Sequence, residues 1–331
     1  MAVPAASGSI DFLLRVQNPD GGWGYLPHKQ SWLEPTALAM LALHELPGSA
    51  KALEKAWAAV RSWRRPDGGW RPCPSVDQST WATSLAVTLH CVRGIYDSPF
   101  RQGIEWLART RGQEGSWWKR VVNRLQPNLV EHDARLQGWP WLPANSSWVE
   151  PTAHALVALK KSLPDLKRSR APLLPAVEAR IEMAEKMMLD RRCADGGWNY
   201  GNKRVQDVTL PSYPETTALA LLGLQGRPLP EVRTSLDWAR GLYGRTNSRL
   251  ARAWLAICLR NHGAVVDPPE PGAPTDDVLV AALEALGSPH GNFALLRTEW
   301  PAGRPHSASG GSAARRSAEE TVTASSPQER P

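Results

Sequence analysis

Three segments of the chain are apolar on almost every face: residues 36–43 (TALAMLAL), 152–159 (TAHALVAL) and 217–224 (TALALLGL). A helix with no polar stripe belongs inside a protein. Residues 51–64, 100–111 and 175–191 instead alternate apolar and charged positions with the helical period, which leaves each one polar face. They are expected to form an outer layer around the apolar helices. A further hairpin is expected over 231–243 and 248–262, followed by one more helix near 275–286. No strand is expected.

The connections between these helices repeat. Asp20-Gly-Gly-Trp23 returns as Asp67-Gly-Gly-Trp70, Glu114-Gly-Ser-Trp117 and Asp195-Gly-Gly-Trp198. A variant, Gly138-Trp-Pro-Trp141, follows Trp117 after a polar insertion over 118–137. A second signature precedes the apolar helices: Ser31-Trp-Leu-Glu-Pro-Thr-Ala37, Ser147-Trp-Val-Glu-Pro-Thr-Ala153 and Ser212-Tyr-Pro-Glu-Thr-Thr-Ala218, degenerating to Gln78-Ser-Thr-Trp-Ala-Thr-Ser84. Trp precedes Thr by 13 residues in three copies, 23 to 36, 70 to 83 and 139 to 152. A fixed register of this kind marks repeated helical hairpins. Five hairpins and a spare helix approach six pairs, so the ring they imply is either complete or gapped. The expected fold is all-α, an α/α toroid over residues 1–305. Residues 306–331, rich in Ser, Ala, Gly, Arg and Glu, bury too little apolar surface to offset ordering and are expected to be disordered.

Composition adds three points. The chain has 16 Trp against 5 Tyr and 3 Phe, which assigns Trp to one repeated structural post. The net charge is +7, and Lys160, Lys161, Lys167, Arg168 and Arg170 form a basic stretch. That stretch is either a solvated surface or a contact for an anionic membrane face; no nucleic acid partner is expected. Cys73, Cys91, Cys193 and Cys258 show no metal-type spacing and fit free thiols in a reducing, cytoplasmic setting. The N-terminus reads as no signal peptide, and no run approaches the ~20 apolar residues of a spanning helix.

Phe12-Leu13-x3-Gln17-x3-Gly21-x-Trp23, with its variant Trp106-Leu107-x3-Arg111-x3-Gly115-x-Trp117, resembles the QW motif of squalene–hopene and oxidosqualene cyclases. Class II diterpene cyclases and the β subunits of protein prenyltransferases share that superfamily. The resemblance covers residues 8–262. It implies a scaffold in which Gln or Arg at a helix end meets the Trp of the next connection. Gln17, Trp23, Trp70, Arg111, Trp117, Arg192 and Trp198 are thereby assigned to the scaffold.

The same resemblance points to chemistry. Class II cyclases protonate an alkene or epoxide with the middle Asp of D-x-D-D-T-A. Aligning Thr-Ala with Thr-Ala puts Glu34, Glu150 and Glu215 at that position. Each Glu also stands three residues after Ser31, Ser147 or Ser212, the spacing of a capping box, and a helix N-terminus favours the ionised carboxylate. Capping is therefore the expectation for Glu34 and Glu215. Glu150 differs because His154 lies one turn on, where the other copies carry Leu38 and Leu219. Trp139, Trp141 and Trp148 surround it in sequence and are the candidate pocket walls. Glu150 and His154 are the candidate catalytic pair. No cofactor is implied. Zinc as in the prenyltransferases would need an Asp-x-Cys pair, which is absent; Asp190, Cys193 and His262 are an unspecific substitute, and Glu131-His132-Asp133 reads as solvated loop.

Two readings stay open. One is an isoprenoid cyclase or related transferase with a reduced, one-domain toroid. The other is a non-catalytic toroid that binds an apolar small molecule or a protein partner. The D-x-D-D motif itself is absent. An enclosed apolar cavity with one carboxyl exposed to it would favour the first; a filled ring centre would favour the second.

Overall fold

The computed structural model describes residues 5–114, 132–205, 208–267 and 274–298. Eleven α-helices lie within them: α1 (Ala5–Arg15), α2 (Leu33–Ala42), α3 (Ala50–Ser62), α4 (Thr83–Arg93), α5 (Ser98–Arg109), α6 (Val149–Arg168), α7 (Leu174–Asp190), α8 (Pro214–Gly223), α9 (Pro230–Arg245), α10 (Arg249–Asn261) and α11 (Val278–Gly287). The apolar segments fall on α2, α6 and α8, and every residue of 36–43, 152–159 and 217–224 is buried. Pro35, Pro151 and Pro214 sit in their first turns, where no backbone donor is required. The amphipathic segments became α3, α5 and α7. One departure is a short antiparallel ribbon, Arg204–Val205 with Val208–Thr209, exposed on all four residues. It lies outside the layers and carries none of the core.

The helices form two layers. Helices α2, α4, α6, α8, α10 and α11 pack side by side in that order, and α11 packs back onto α2. The ring is therefore complete. Helices α3, α5, α7 and α9 lie outside it against their inner partners, and α1 covers α11. Closure is also hydrogen-bonded. The Val278 N–H donates to the Tyr25 carbonyl at 2.9 Å. Asn292 Nδ2 donates to the carbonyls of Leu41, Ala42 and His44, the last at 2.8 Å. Just beyond Asn292, a 3-10 turn, Phe293–Leu296, lies across the C-terminal ends of the inner helices. Gln225 and Asn261 hold it by donating to the Leu296 and Phe293 carbonyls. The ring is thus a cup with its floor at that end.

The repeated turn explains the fixed register. The Trp23 N–H donates to Thr36 Oγ1 at 2.9 Å, and its indole Nε1 donates to the Leu13 carbonyl at 2.8 Å. Trp70 does the same with Thr83 and Val60, Trp139 with Thr152 and Leu107, and Trp198 with Thr217 and Met188. All four indoles are at most 1% exposed. Each Trp thereby satisfies an orphan carbonyl at the end of an outer helix while its own N–H is satisfied by the next inner helix. Gly21 takes φ +90°, closed to most side chains, and a Cβ on Gly22 would lie 2.6 Å from that of Ser31. Both glycines of the turn are therefore required.

A second bond links neighbouring repeats. Leu33 N–H donates to the Pro72 carbonyl, Trp81 N–H to Trp141 and Val149 N–H to Tyr200, each acceptor standing two residues after a turn Trp. The Val278–Tyr25 bond that shuts the ring is the same contact. Helix α8 starts with Pro214, which has no N–H to donate, and the hairpin after it lacks the Gly-Gly-Trp turn that would accept one.

The capping boxes do not form. The helices start two residues after each Ser, so the N-cap residues are Trp32, Trp148 and Tyr213, none with a side-chain cap bond. Glu34, Glu150 and Glu215 fall at the second helical position. The serines bind the preceding turn instead. Ser31 Oγ donates to Asp20 Oδ1 at 2.8 Å, Ser147 Oγ to Glu114 Oε2 at 3.0 Å, and the Ser212 N–H to Asp195 Oδ2 at 2.8 Å.

One scaffold assignment also changes, and another falls outside the described residues. Trp117 lies outside the described residues, as do residues 118–131 of the insertion and the tail over 306–331. The third turn is split: Glu114 supplies the acid, and Gly138-Trp139 supplies the remainder from the far side of the insertion, with Gly112 N–H bonded to the Gly138 carbonyl as Asn18 N–H is to that of Gly22. Arg111 is exposed, and the guanidinium over Trp139 is that of Arg180, 4.2 Å from the ring centroid. Glu114 is held by Arg191 at 3.1 Å in a fully buried pair. Gln17 and Arg192 tie outer helices together, Gln17 Nε2 donating to the Ala52 carbonyl at 2.8 Å and Arg192 Nε to Ser235 Oγ at 2.8 Å.

Replacing Thr36 with Val keeps its shape and strands the buried Trp23 N–H. Urea denaturation should show a loss of about 1–3 kcal/mol, with Thr36→Ser retaining most of the stability. Equal stability of the Val variant and the wild type would exclude this bond as the fixed point of the repeat.

Candidate functional site

The Trp–Thr bond sets which side chains face the ring axis. Two residues before each bonded Thr stand Glu34, Trp81, Glu150 and Glu215. Four and seven residues after these come Leu38 and Leu41, Leu85 and Thr88, His154 and Val157, Leu219 and Leu222, and all eight line one cavity at the ring centre. Residues at these spacings share one face of a helix. The three glutamates and Trp81 therefore form the axial tier one turn above the cavity, at the N-terminal mouth of the cup. Ala153, Trp254 and Leu296 complete the lining, Leu296 from the floor. The cavity holds only about 10 Å³, the lower limit for one water.

Electrostatics follow from this convergence. Burial raises the Glu150 carboxyl to about 8, assisted by repulsion from Glu34 and Glu215. No hydrogen bond or cation offsets that rise among the described residues. Burial also raises Glu34, opposed by a 2.6 Å hydrogen bond from the Tyr25 hydroxyl. Tyr25 in turn is pushed above the usual phenol range by its burial and by Glu34. Glu215 accepts a hydrogen bond from Ser248 Oγ at 3.4 Å. At Glu34 and Glu150 the macrodipole is outweighed: it stabilises by about 0.3–1 kcal/mol, whereas desolvation, joined at Glu150 by the neighbouring carboxyls, opposes ionisation more strongly.

His154 lies in the tier below. It is 7% exposed, its Nε2 has no hydrogen-bond partner, and burial lowers its pKa to about 4, so it is neutral. Trp81 and Trp254 pack on it, with ring centroids at 5.3 and 5.9 Å. Burial alone accounts for its shift, and that of Glu150 has no contribution from the imidazole. The two share a helical face without acting as an ion pair.

Of the three candidate walls, Trp139 belongs to the scaffold: it is 1% exposed and points at the outer helix. Trp141 is half-buried at the mouth, edge-on to Trp81 at 4.9 Å. Trp148 is the half-buried N-cap residue of α6. Neither lines the cavity. Sequence reasoning missed Trp81, Trp254 and the rim tyrosines. Trp81 was accessible in principle, because counting back from Thr83 puts it in register with Glu34. Tyr25, Trp141 and Tyr200 share the position two residues after a turn Trp, whose carbonyl makes the inter-repeat bond. Trp254 sits in the hairpin without a turn motif and carried no signal. Around the mouth stand the exposed apolar residues Tyr25, Leu26, Leu142, Tyr200 and Tyr213. No group of three or more His, Cys, Asp or Glu able to hold a metal occurs among the described residues, and none of their helices is long and apolar enough to cross a membrane.

No family model matches the chain. It is 29% identical to a squalene–hopene cyclase of Zymomonas mobilis over 130 residues, 34% of this chain and 19% of that protein. It is 43% identical to a drimenyl diphosphate synthase of Streptantibioticus cattleyicolor over 63 residues, 19% of this chain and 12% of that one. The matches thus span about a fifth or less of these curated relatives. Among solved structures, a variant of the type II terpene cyclase MstE from Scytonema, in complex with geranylgeranyl dihydroxybenzoate, superposes with a TM-score of 0.51 at 16% identity, over 89% of this chain and 96% of that one. An uncharacterized conserved protein from Thermus thermophilus gives 0.53 at 11% identity, over 85% and 99%. The chain has the α/α-toroid fold of the terpene cyclases.

Glu150 should make stability fall with rising pH. Its carboxyl titrates near 4.5 when unperturbed and about 8 when folded, so between those values the folded chain holds a proton that the unfolded chain releases. Its contribution is complete below the lower value and lost as pH rises through the upper one, at no more than about 1.4 kcal/mol per pH unit. Glu150→Gln should flatten this slope, and Glu34→Gln should lower the Glu150 midpoint seen by ¹³C NMR. A wild-type midpoint near 4.5 would refute the coupling.

Proposed function

Given the α/α-toroid fold of the terpene cyclases, we propose that this chain acts on an isoprenoid or similarly apolar alkene at the N-terminal mouth of its ring, with Glu150 as the Brønsted acid. The observation that carries this reading is a carboxyl with no ion pair among the described residues, pushed up to about 8 by burial and by Glu34 and Glu215, one turn above a cavity walled by His154 and Trp254. An acid for alkene protonation must keep its proton at the working pH. In the step proposed, the Glu150 O–H proton goes to one alkene carbon as the π pair forms the new C–H bond. A carbocation is left at the other carbon and a carboxylate on Glu150; after ring closure the cation loses a proton from a neighbouring carbon to give an alkene isomer, and Glu150 is reprotonated from solvent. Aromatic faces at the mouth stabilise such a cation. The neutral His154 puts no opposing charge beneath it.

The second reading, a non-catalytic toroid holding an apolar ligand or a protein partner, is favoured by the small central cavity. A polyprenyl chain requires several hundred Å³, and the leucine tier leaves about 10 Å³. Catalysis in the ring thus demands that the mouth open, or that the substrate lie across the rim.

Incubation with geranylgeranyl and farnesyl substrates, followed by extraction and mass spectrometry, separates the two. The catalytic reading expects a cyclised isomer of unchanged mass, reduced about 10²–10⁴-fold in Glu150→Gln. Absence of any product, with lipid still extracted from the purified protein, would sink it and leave the binding toroid.

A further inference from the structure

The central cavity is closed from below by a piece of chain that does not belong to the ring. All its other walls stand on the inner helices α2, α4, α6, α8 and α10, whereas Leu296 comes from the segment that follows α11. Within residues 291–298 Leu296 alone is fully buried, and its neighbours are half-buried. The segment therefore delivers one apolar side chain into the axis and keeps the rest of itself near the surface.

Its attachment differs from that of the repeats. Among the described residues, no backbone–backbone bond ties 293–298 to the ring. Side chains hold it instead. Gln225 Nε2 donates to the Leu296 carbonyl at 3.0 Å, and Gln225 Oε1 accepts from the Thr298 N–H at 3.3 Å. Asn261 Nδ2 donates to the Phe293 carbonyl at 2.9 Å and Lys161 Nζ to the Arg297 carbonyl at 3.1 Å. The docking is incomplete: Asn261 Oδ1, Arg297 Nε and Thr298 Oγ1 are buried without a partner, and each such atom opposes the closed position. Segments tied in this way open locally while the core stays folded. The pivot is equally defined. Asn292 is pinned to the carbonyls at the end of α2, and an added Cβ on Gly291 would lie 2.2 Å from the Ala285 carbonyl oxygen. The chain up to Asn292 is thus fixed, and the chain beyond it is the part free to swing.

We infer that residues 293–298 are a displaceable plug with Leu296 as its stopper, and that an unbranched apolar chain binds along the ring axis by taking the place of Leu296 at the floor. The closed cavity of about 10 Å³ falls far below the roughly 150 Å³ that admits a benzene-sized molecule. An alkyl chain in the axis must therefore displace a wall, and Leu296 is the one wall not fixed in a helix. The leucines and Trp254 that remain match such a chain in polarity. Apparent affinity scales with the fraction of molecules whose plug is open, so loosening the plug tightens binding. Displacement at the floor does not depend on alkene protonation at the mouth.

Calorimetric titration of the full chain with 1-decanol, paired with hydrogen exchange, tests this. Gln225→Leu removes two bonds to the plug and leaves Leu296 in place; it should bind 1-decanol about fivefold or more tightly than the wild type. Leu296→Ala should also bind it more tightly. In the wild type, saturating 1-decanol should speed exchange of the Thr298 amide while the amides of α11 stay protected. Should either variant fail to fold, the other and the wild-type exchange decide. Three results would each overturn the proposal: no 1-decanol binding by the wild type or a folded variant, binding that leaves Thr298 exchange unchanged or slower, and folded variants that bind no more tightly than the wild type. Absence of turnover with these responses intact would count only against the cyclase reading.

Discussion

Every repeat rests on the buried Trp at its turn, which answers two backbone demands at once. Its indole N–H satisfies a carbonyl left over at the end of an outer helix, and its backbone N–H is satisfied by a Thr one turn into the following inner helix. An unpaired buried polar group is destabilising, so the two helices of a hairpin cannot slide without stranding one of these groups. The fixed register from Trp to Thr is the sequence image of that constraint. The next contact, from the first inner-helix N–H to the carbonyl two residues after the neighbouring Trp, propagates the geometry from repeat to repeat. Because Val278 makes it with Tyr25, the ring closes by the bond that builds it.

That constraint explains what could be read from the chain and what could not. The layers were legible in the contrast between TALAMLAL-type segments and their charged neighbours, because burial on all sides leaves no other composition. The serines misled. Ser-x-x-Glu is a capping pattern only if the helix starts directly after Ser, and here a Trp or Tyr intervenes because its backbone pairs with the turn Trp first. The third repeat misled in another way. Glu114-Gly-Ser-Trp117 reads as an intact turn, yet the indole that bonds the Leu107 carbonyl is that of Trp139, and Glu114 and Gly138 share Ser147 from opposite sides of the insertion. Local spacing could not reveal a turn assembled from two distant pieces. Closure was also illegible, as Asn292 and Val278 show no motif and act only through where the last helix arrives.

The site illustrates how symmetry generates chemistry. Six parallel inner helices bring their N-termini to one mouth, so any acid repeated at one position is repeated around an axis. Glu34 and Glu215 are ordinary one at a time. Burial raises the Glu150 carboxyl, and together they add to that rise without any special neighbour on its own helix. The expected partner, His154, contributes through what it lacks, a charge and a hydrogen bond, rather than by pairing with Glu150.

Function in such a ring must come from where the repeats differ. Trp81 replaces Glu just before α4, which makes the acidic tier three-sided and backs it with an aromatic face. His154 replaces Leu on α6 and introduces the single imidazole on the cavity wall. Pro214 replaces a donor on α8, where the next hairpin has no turn to receive it. The first two departures meet, since the Trp81 and His154 rings lie 5.3 Å apart. A purely architectural ring gains nothing from an unsatisfied nitrogen beneath unpaired carboxyls; leucine at that position would pack equally well, as it does at Leu38 and Leu219. The polar group persists on the helix that carries Glu150, and the repeat pattern breaks there at the axis of the ring.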